Sequence, residues 1–157
     1  MMARENKEPI DNILYAAACG IKNTSTMTQE EKQLLLKDLC GRLPYGCMVE
    51  CSFSEDAKMD VVLFPEHITE LIAEDLIVKP YLRPMSSMTE EERKEWADGI
   101  FKIEWDIFKE KTKGNDVANA SGHAFGIDYL IERHFDYRGL IDKGLAIEAP
   151  EGMYKND

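Results

Sequence analysis

The stretch CMVECSFSEDAKMDVVLF, residues 47–64, decides the fold. Cys47, Val49, Cys51 and Phe53 alternate with Met48, Glu50 and Ser52, which is the period of a strand with one face buried. Met59–Phe64 is a second run rich in apolar and β-branched residues, and the polar SEDAK between the two reads as a loop. An antiparallel pair of strands is the expected result, and the rest of the chain has to cover its apolar face.

Upstream, STMTQEEK at 25–32 has the same grammar as SSMTEEER at 86–93. Thr28 and Thr89 each precede a glutamate by three residues, Glu31 and Glu92. This is the capping box, in which the threonine oxygen takes the N3 amide and the glutamate reaches back to the N-cap amide. The residues after the two boxes, QLLLKDLCGRL and KEWADGIFKIE, differ completely. One helix-start signal is therefore used twice, and there is no internal repeat. The first box opens a helix over Gln29–Cys40 with Leu34, Leu35, Leu39 and Cys40 as its apolar stripe. Gly41 stands where a C-terminal cap is expected, and LPYG at 43–46 is a turn.

Downstream, PEHITELIAEDL has Ile68, Leu71, Ile72 and Leu76 at helical spacing behind Pro65. IVKPYLRPM reads as extended. Pro80 and Pro84 limit its ladder bonding, so an edge strand or a crossing segment is expected. After the second box, Phe101, Ile103, Trp105 and Ile107 alternate with charged residues, and a strand is expected over 101–107. The competing helical face is Trp96, Ile100, Ile103 and Ile107. KEKTKGND is a hydrophilic loop. A third clear helix covers Ser121–Phe135, with Ala124, Ile127, Leu130, Ile131 and Phe135 inward. In the tail, Gly139, Gly144 and Gly152 are spaced as turn points, and its apolar residues dock it on the domain.

Composition narrows the function. The 157 residues carry 30 acidic and 19 basic side chains, a formal charge of −11, so phosphate backbones and anionic headgroups are repelled. Nucleic acid is therefore a disfavoured partner, and no apolar run is long enough to span a membrane. The short run Ile13–Cys19 comes after acidic Glu5, Glu8 and Asp11, where a signal peptide needs basic residues. Cytoplasmic residence with reduced cysteines is the expectation.

Cys40, Cys47, Cys51 and His67 are the residues that a zinc reading needs, but their spacing fits no compact zinc motif. On one regular strand the alpha carbons of Cys47 and Cys51 stand about 13 Å apart, too far for ligands that each lie about 2 Å from one metal. Buried thiols used as small hydrophobes fit better. Nothing brings His67, His123 or His134 to a cysteine as a base, and no phosphate loop or dinucleotide fingerprint occurs. No cofactor, metal or catalytic residue is expected. Glu90, Glu91 and Glu92 read as a solvated face at a helix start. ERHFDYRG at 132–139 is the densest polar and aromatic cluster. Its structural roles are Phe135 and Tyr137 in the core, Arg133 and His134 at a helix end, and Asp136 paired with Arg138. Its functional role is a contact surface with Tyr137 and Arg138 as anchors.

Three blocks, DLCGRLPYG at 38–46, VKPYLRPMSSMTEEE at 78–92 and HFDYRGLIDKGLAIEAPEGMY at 134–154, resemble a family common in prophages and other mobile elements of gut anaerobic bacteria. They cover about a third of the chain. No activity is assigned to that family, so the resemblance implies an intracellular, phage-linked setting and carries over no functional residue.

The expected object has an N-terminal extension over residues 1–24, partly helical, and one α+β domain over residues 25–157. The domain is a small antiparallel sheet, able to curl, with three to four packed helices. The expected function is non-enzymatic. The protein is an accessory factor that binds a host or phage protein, with His134, Asp136, Tyr137, Arg138, Tyr81 and Arg83 as the candidate surface. The alternative is a small-molecule or nucleotide-binding protein, or a weak enzyme, with a pocket near the HFDYRG turn and the proline-flanked KPYLRP, and Arg83 and Arg138 facing one cavity would favour an anionic ligand.

Overall fold

A computed structural model of the protein describes residues 27–109 and 115–154. The N-terminal extension and the middle of the KEKTKGND loop lie outside these. The described residues form four α-helices and a mixed, open sheet in the strand order β2 (Ala57–Val62), β1 (Met48–Ser54), β3 (Ile77–Leu82), β4 (Ile147–Glu148), an α+β fold as expected. The chain divides after Pro80 into two compact units.

The first unit begins with α1, Gln29–Arg42. Its capping box is complete: the Thr28 hydroxyl accepts the Glu31 N–H at 3.1 Å, and the Glu31 carboxylate accepts the Thr28 N–H at 2.9 Å. The helix runs through Gly41, which is not its cap; Gly46, at φ 65°, takes the left-handed position after a 3-10 turn over Leu43–Tyr45. Its buried face holds Leu35, Leu39, Asp38 and Arg42, while Cys40 is exposed. Asp38 and Arg42, one turn apart and both fully buried, join through two hydrogen bonds of 2.7 and 3.1 Å. That bidentate pairing is what lets a charged last turn enter the core.

The hairpin comes next. β1, Met48–Ser54, pairs antiparallel with β2, Ala57–Val62, across a two-residue turn. Cys47, Val49 and Cys51 are buried as the alternation requires, but Phe53 is 64% exposed. The register slips between Ser52 and Ser54, and this bulge takes Phe53 out of the face. α2, Pro65–Ile72, is capped by His67, whose Nδ1 accepts the Phe64 N–H at 3.0 Å. Lys32 of α1 ties to the end of α2 through Glu74, 3.1 Å away. β3, Ile77–Leu82, then pairs antiparallel with β1 from Ile77 to Pro80. It is an inner strand, between β1 and β4, where an edge strand or a crossing segment is the expectation from sequence. Pro80 is tolerated because it is the last residue of that ladder, and Pro84 lies past the strand end.

In the second unit Tyr81 and Leu82 pair in parallel with β4, Ile147–Glu148, so the sheet is mixed and not wholly antiparallel. α3 spans Glu90–Lys109 without interruption, which corrects the strand expected over 101–107. Helical spacing leaves Phe101 and Trp105 exposed and stacked on each other, 6.4 Å between ring centroids, instead of burying them on a sheet face. Packing against α4, Asn115–Glu132, decides the matter. Gly99 sits where any Cβ would overlap the Phe125 ring, and the Trp96 indole N–H donates to the Gly126 carbonyl at 3.1 Å. α4 starts well before Ser121 and ends at Glu132, short of Phe135. Met88, Tyr129, Leu130 and Phe135 form the core here, with Trp96, Phe125 and Tyr137 against it. The three tail glycines all take left-handed turns, and Leu140, Leu145 and Ala146 are buried.

Candidate functional site

The site lies in the second unit and grows from the capping box of α3. Thr89 accepts the Glu92 N–H at 3.2 Å, and Glu92 accepts the Thr89 N–H at 3.0 Å. The same Glu92 carboxylate grips Arg83, just past β3, with two bonds of 2.8 and 2.9 Å. Glu92 is thus buried, unlike its exposed neighbours Glu90 and Glu91, which corrects the reading of the whole run as a solvated face. The Arg83 hydrogen bonds hold its carboxyl below the ordinary carboxylate range, against the opposing effect of burial. The Arg83 guanidinium also lies over the Phe135 ring, 4.2 Å from its centroid.

Backbone bonds join the two segments that sequence reading singled out. The Arg83 N–H donates to the His134 carbonyl at 2.7 Å, and the Asp136 N–H donates to the Arg83 carbonyl at 2.8 Å. His134 takes a left-handed conformation, φ 64°, and stacks on Tyr154 with 3.8 Å between ring centroids. Tyr154 donates its hydroxyl proton to the Tyr81 carbonyl at 2.7 Å. Asp136 accepts the N–H groups of Leu140 and Ile141 at 2.8 and 3.0 Å, so its carboxylate shapes the turn. Arg138 lies over the Tyr137 ring, 4.9 Å away.

A second acid–base layer sits beside the first. Arg133 pairs with Glu95 at 3.1 Å and stacks on Tyr129 at 4.3 Å. The Tyr129 hydroxyl lies 3.0 Å from the Glu95 carboxylate and 3.1 Å from the Glu92 carbonyl, sharing its one proton between them. Burial, then the Glu95 bond, push the phenol up to about 12.

Around these groups opens a cleft of about 610 Å³. Arg83, Glu92, Glu95 and Arg133 form part of its lining; Glu91, Glu148, Glu151 and Tyr154 supply more. Each arginine is matched to one glutamate, Arg83 to Glu92 and Arg133 to Glu95. Glu91, Glu148 and Glu151 have no ion pair among the described residues, so the cleft carries excess negative charge.

Of the six candidate surface residues, Arg83 alone lines the cleft. Tyr81, His134 and Asp136 are buried, and Tyr137 and Arg138 are half-buried. Arg83 and Arg138 do not share this cavity, which removes the argument for an anionic ligand there. Of the cleft's acids, Glu91 and Glu92 stand in the run expected as a solvated helix start, whereas Glu95, Glu148 and Glu151 carry no expectation from the sequence. The signal for Glu148 and Glu151 is that IEAPEG, 147–152, places two acids around a proline. No group of three or more His, Cys, Asp or Glu side chains among the described residues could hold a metal ion. No described helix is long and apolar enough to cross a membrane. Compared with protein-family models, curated proteins and solved structures, the chain matches none.

Proposed function

We propose that the protein is a non-enzymatic binding factor, and that the acidic cleft of the second unit receives a basic segment of a partner protein. The observation that carries this reading is the charge balance of the cleft: two arginines are neutralised in place, and Glu91, Glu148 and Glu151 remain. A lysine or arginine side chain entering between them gains charge-assisted hydrogen bonds. The net charge of −11 draws such a partner in over a longer range. In line with the resemblance of the three sequence blocks, the setting is a prophage or mobile element, the partner is a host or phage protein, and the place is the cytoplasm. A nucleotide in this cleft has less support, because its phosphates would meet the glutamates of the lining.

Pull-down of the tagged protein from host lysate, with and without phage infection, tests the proposal. The wild type retains a stoichiometric partner, and the Glu91→Lys, Glu148→Lys, Glu151→Lys variant does not. Equal retention by both proteins, or a retained metabolite without a protein, overturns it.

A further inference from the structure

β4 carries an open edge beside the acidic cleft. It ends the strand order, with β3 as its one strand neighbour among the described residues. Leu82 stands opposite Glu148, and the Ala149 N–H donates to the Leu82 carbonyl at 2.8 Å. In a parallel ladder a bonded residue reaches the two neighbours of its opposite, and the opposite residue turns its own groups away. The Glu148 N–H and C=O therefore point off the sheet, and no hydrogen bond among the described residues uses them. The next outward groups along the edge are already taken. The Ala146 N–H donates to the Leu140 carbonyl at 3.3 Å, Pro150 has no N–H, and the Pro150 carbonyl accepts the Met153 N–H at 3.1 Å. One donor and one acceptor are left, on an exposed residue that lines the cleft.

We propose that the basic segment received by the cleft is extended and pairs with β4 at Glu148 as an added strand. This pairing rests on the function proposed above and adds the ligand's conformation and residue spacing. The incoming strand gains two backbone hydrogen bonds at Glu148. The side chain directly across lies on the same sheet face as the Glu148 side chain, about 5 Å away between Cβ atoms. A lysine or arginine there meets the Glu148 carboxylate, which has no ion pair among the described residues. Side chains two residues before and after it share that face, and Glu91 and Glu151 add further acid to the cleft lining. Basic residues at alternate positions are therefore favoured over the three- and four-residue spacing of a helix face. A helical ligand spends its backbone groups on itself and leaves those of Glu148 unmet.

Titration of the full chain with two labelled peptides of the same lysine and threonine composition tests this. One peptide has its lysines at alternate positions, and the other has them three and four apart. The alternating peptide binds at least about fivefold tighter. Two variants then separate backbone from charge. Glu148→Gln removes the carboxylate and keeps the N–H, whereas Glu148→Pro removes both, at an edge position where proline is accepted. The proline variant binds the alternating peptide about fivefold more weakly than the glutamine variant, the scale of one net hydrogen bond. Equal affinity of the two peptides, or of the two variants, overturns the strand pairing. If the Glu91→Lys, Glu148→Lys, Glu151→Lys variant still abolishes binding in that case, the acidic cleft stands without it. Failure of the wild type to bind either peptide overturns both.

Discussion

Replacing Glu92 by glutamine removes one charge from the joint on which the second unit is built. The amide keeps an oxygen for the Thr89 cap, so the helix start survives. What goes is the bidentate pair to Arg83, at 2.8 and 2.9 Å, with side chains 19% and 7% exposed for Arg83 and Glu92. An exposed pair would contribute under about 1 kcal/mol, and breaking a fully buried one costs about 3–5 kcal/mol. Arg83 keeps some solvent and its stack over Phe135, so a loss of about 2 kcal/mol is expected at pH 7. Both tryptophans, Trp96 and Trp105, lie on α3, so urea unfolding monitored by tryptophan fluorescence reports on this unit. The midpoint should fall by about 1 M. The pH dependence adds a second signature. The Glu92 carboxyl is held below its ordinary value of 4.5, so the unfolded chain binds the proton first. The stabilisation is present above that ordinary value and is lost as pH falls through the folded-state value. The gap between wild type and Glu92→Gln should therefore close on acidification below about pH 4.5. A gap that stays constant with pH, or that is absent at pH 7, refutes the assignment of this pair as a main support.

The packing makes three other outcomes testable. Asp38→Ala leaves Arg42 fully buried without its bidentate acceptor, and far-UV circular dichroism in urea should show a loss of about 3 kcal/mol or more. Gly99→Ala drives a methyl into the Phe125 ring and should destabilise the α3–α4 pair by about 1–3 kcal/mol, seen in the same tryptophan transition. Burial, with help from Glu70 and Glu50, pushes the Cys51 thiol up to about 11; alkylation at pH 8 with peptide mapping should mark exposed Cys40 well before Cys51 and Cys47.

The elements that announced themselves locally are the ones that sequence reading placed well. Both capping boxes need only four residues each, and both formed. The hairpin and the short helix behind Pro65 were equally legible, because period and breakers lie within each segment. Errors arose where a distant partner decided. Residues 101–107 satisfy both the strand and the helix period, and the choice rests on Phe125, from the next helix, filling the space beside Gly99. β3 looks like an edge strand until β4 supplies two pairs beyond Pro80. At the HFDYRG turn the Asp136 carboxylate holds the turn's own N–H groups and His134 stacks on Tyr154, roles that depend on the folded turn and not on the local pattern. The cleft was illegible because its acids come from the start of α3 and from the tail, which only tertiary structure brings together.

The most direct test of the proposed role is titration of the purified chain with a labelled lysine- and arginine-rich peptide, beside a glutamate-rich control. Saturable one-to-one binding is predicted for the basic peptide alone, weakening as salt rises. It should be lost in the Glu91→Lys, Glu148→Lys, Glu151→Lys variant while that variant's unfolding midpoint stays near wild type. Binding that survives the triple reversal, or no binding of the basic peptide by the wild type, would contradict a cleft built to receive a basic segment.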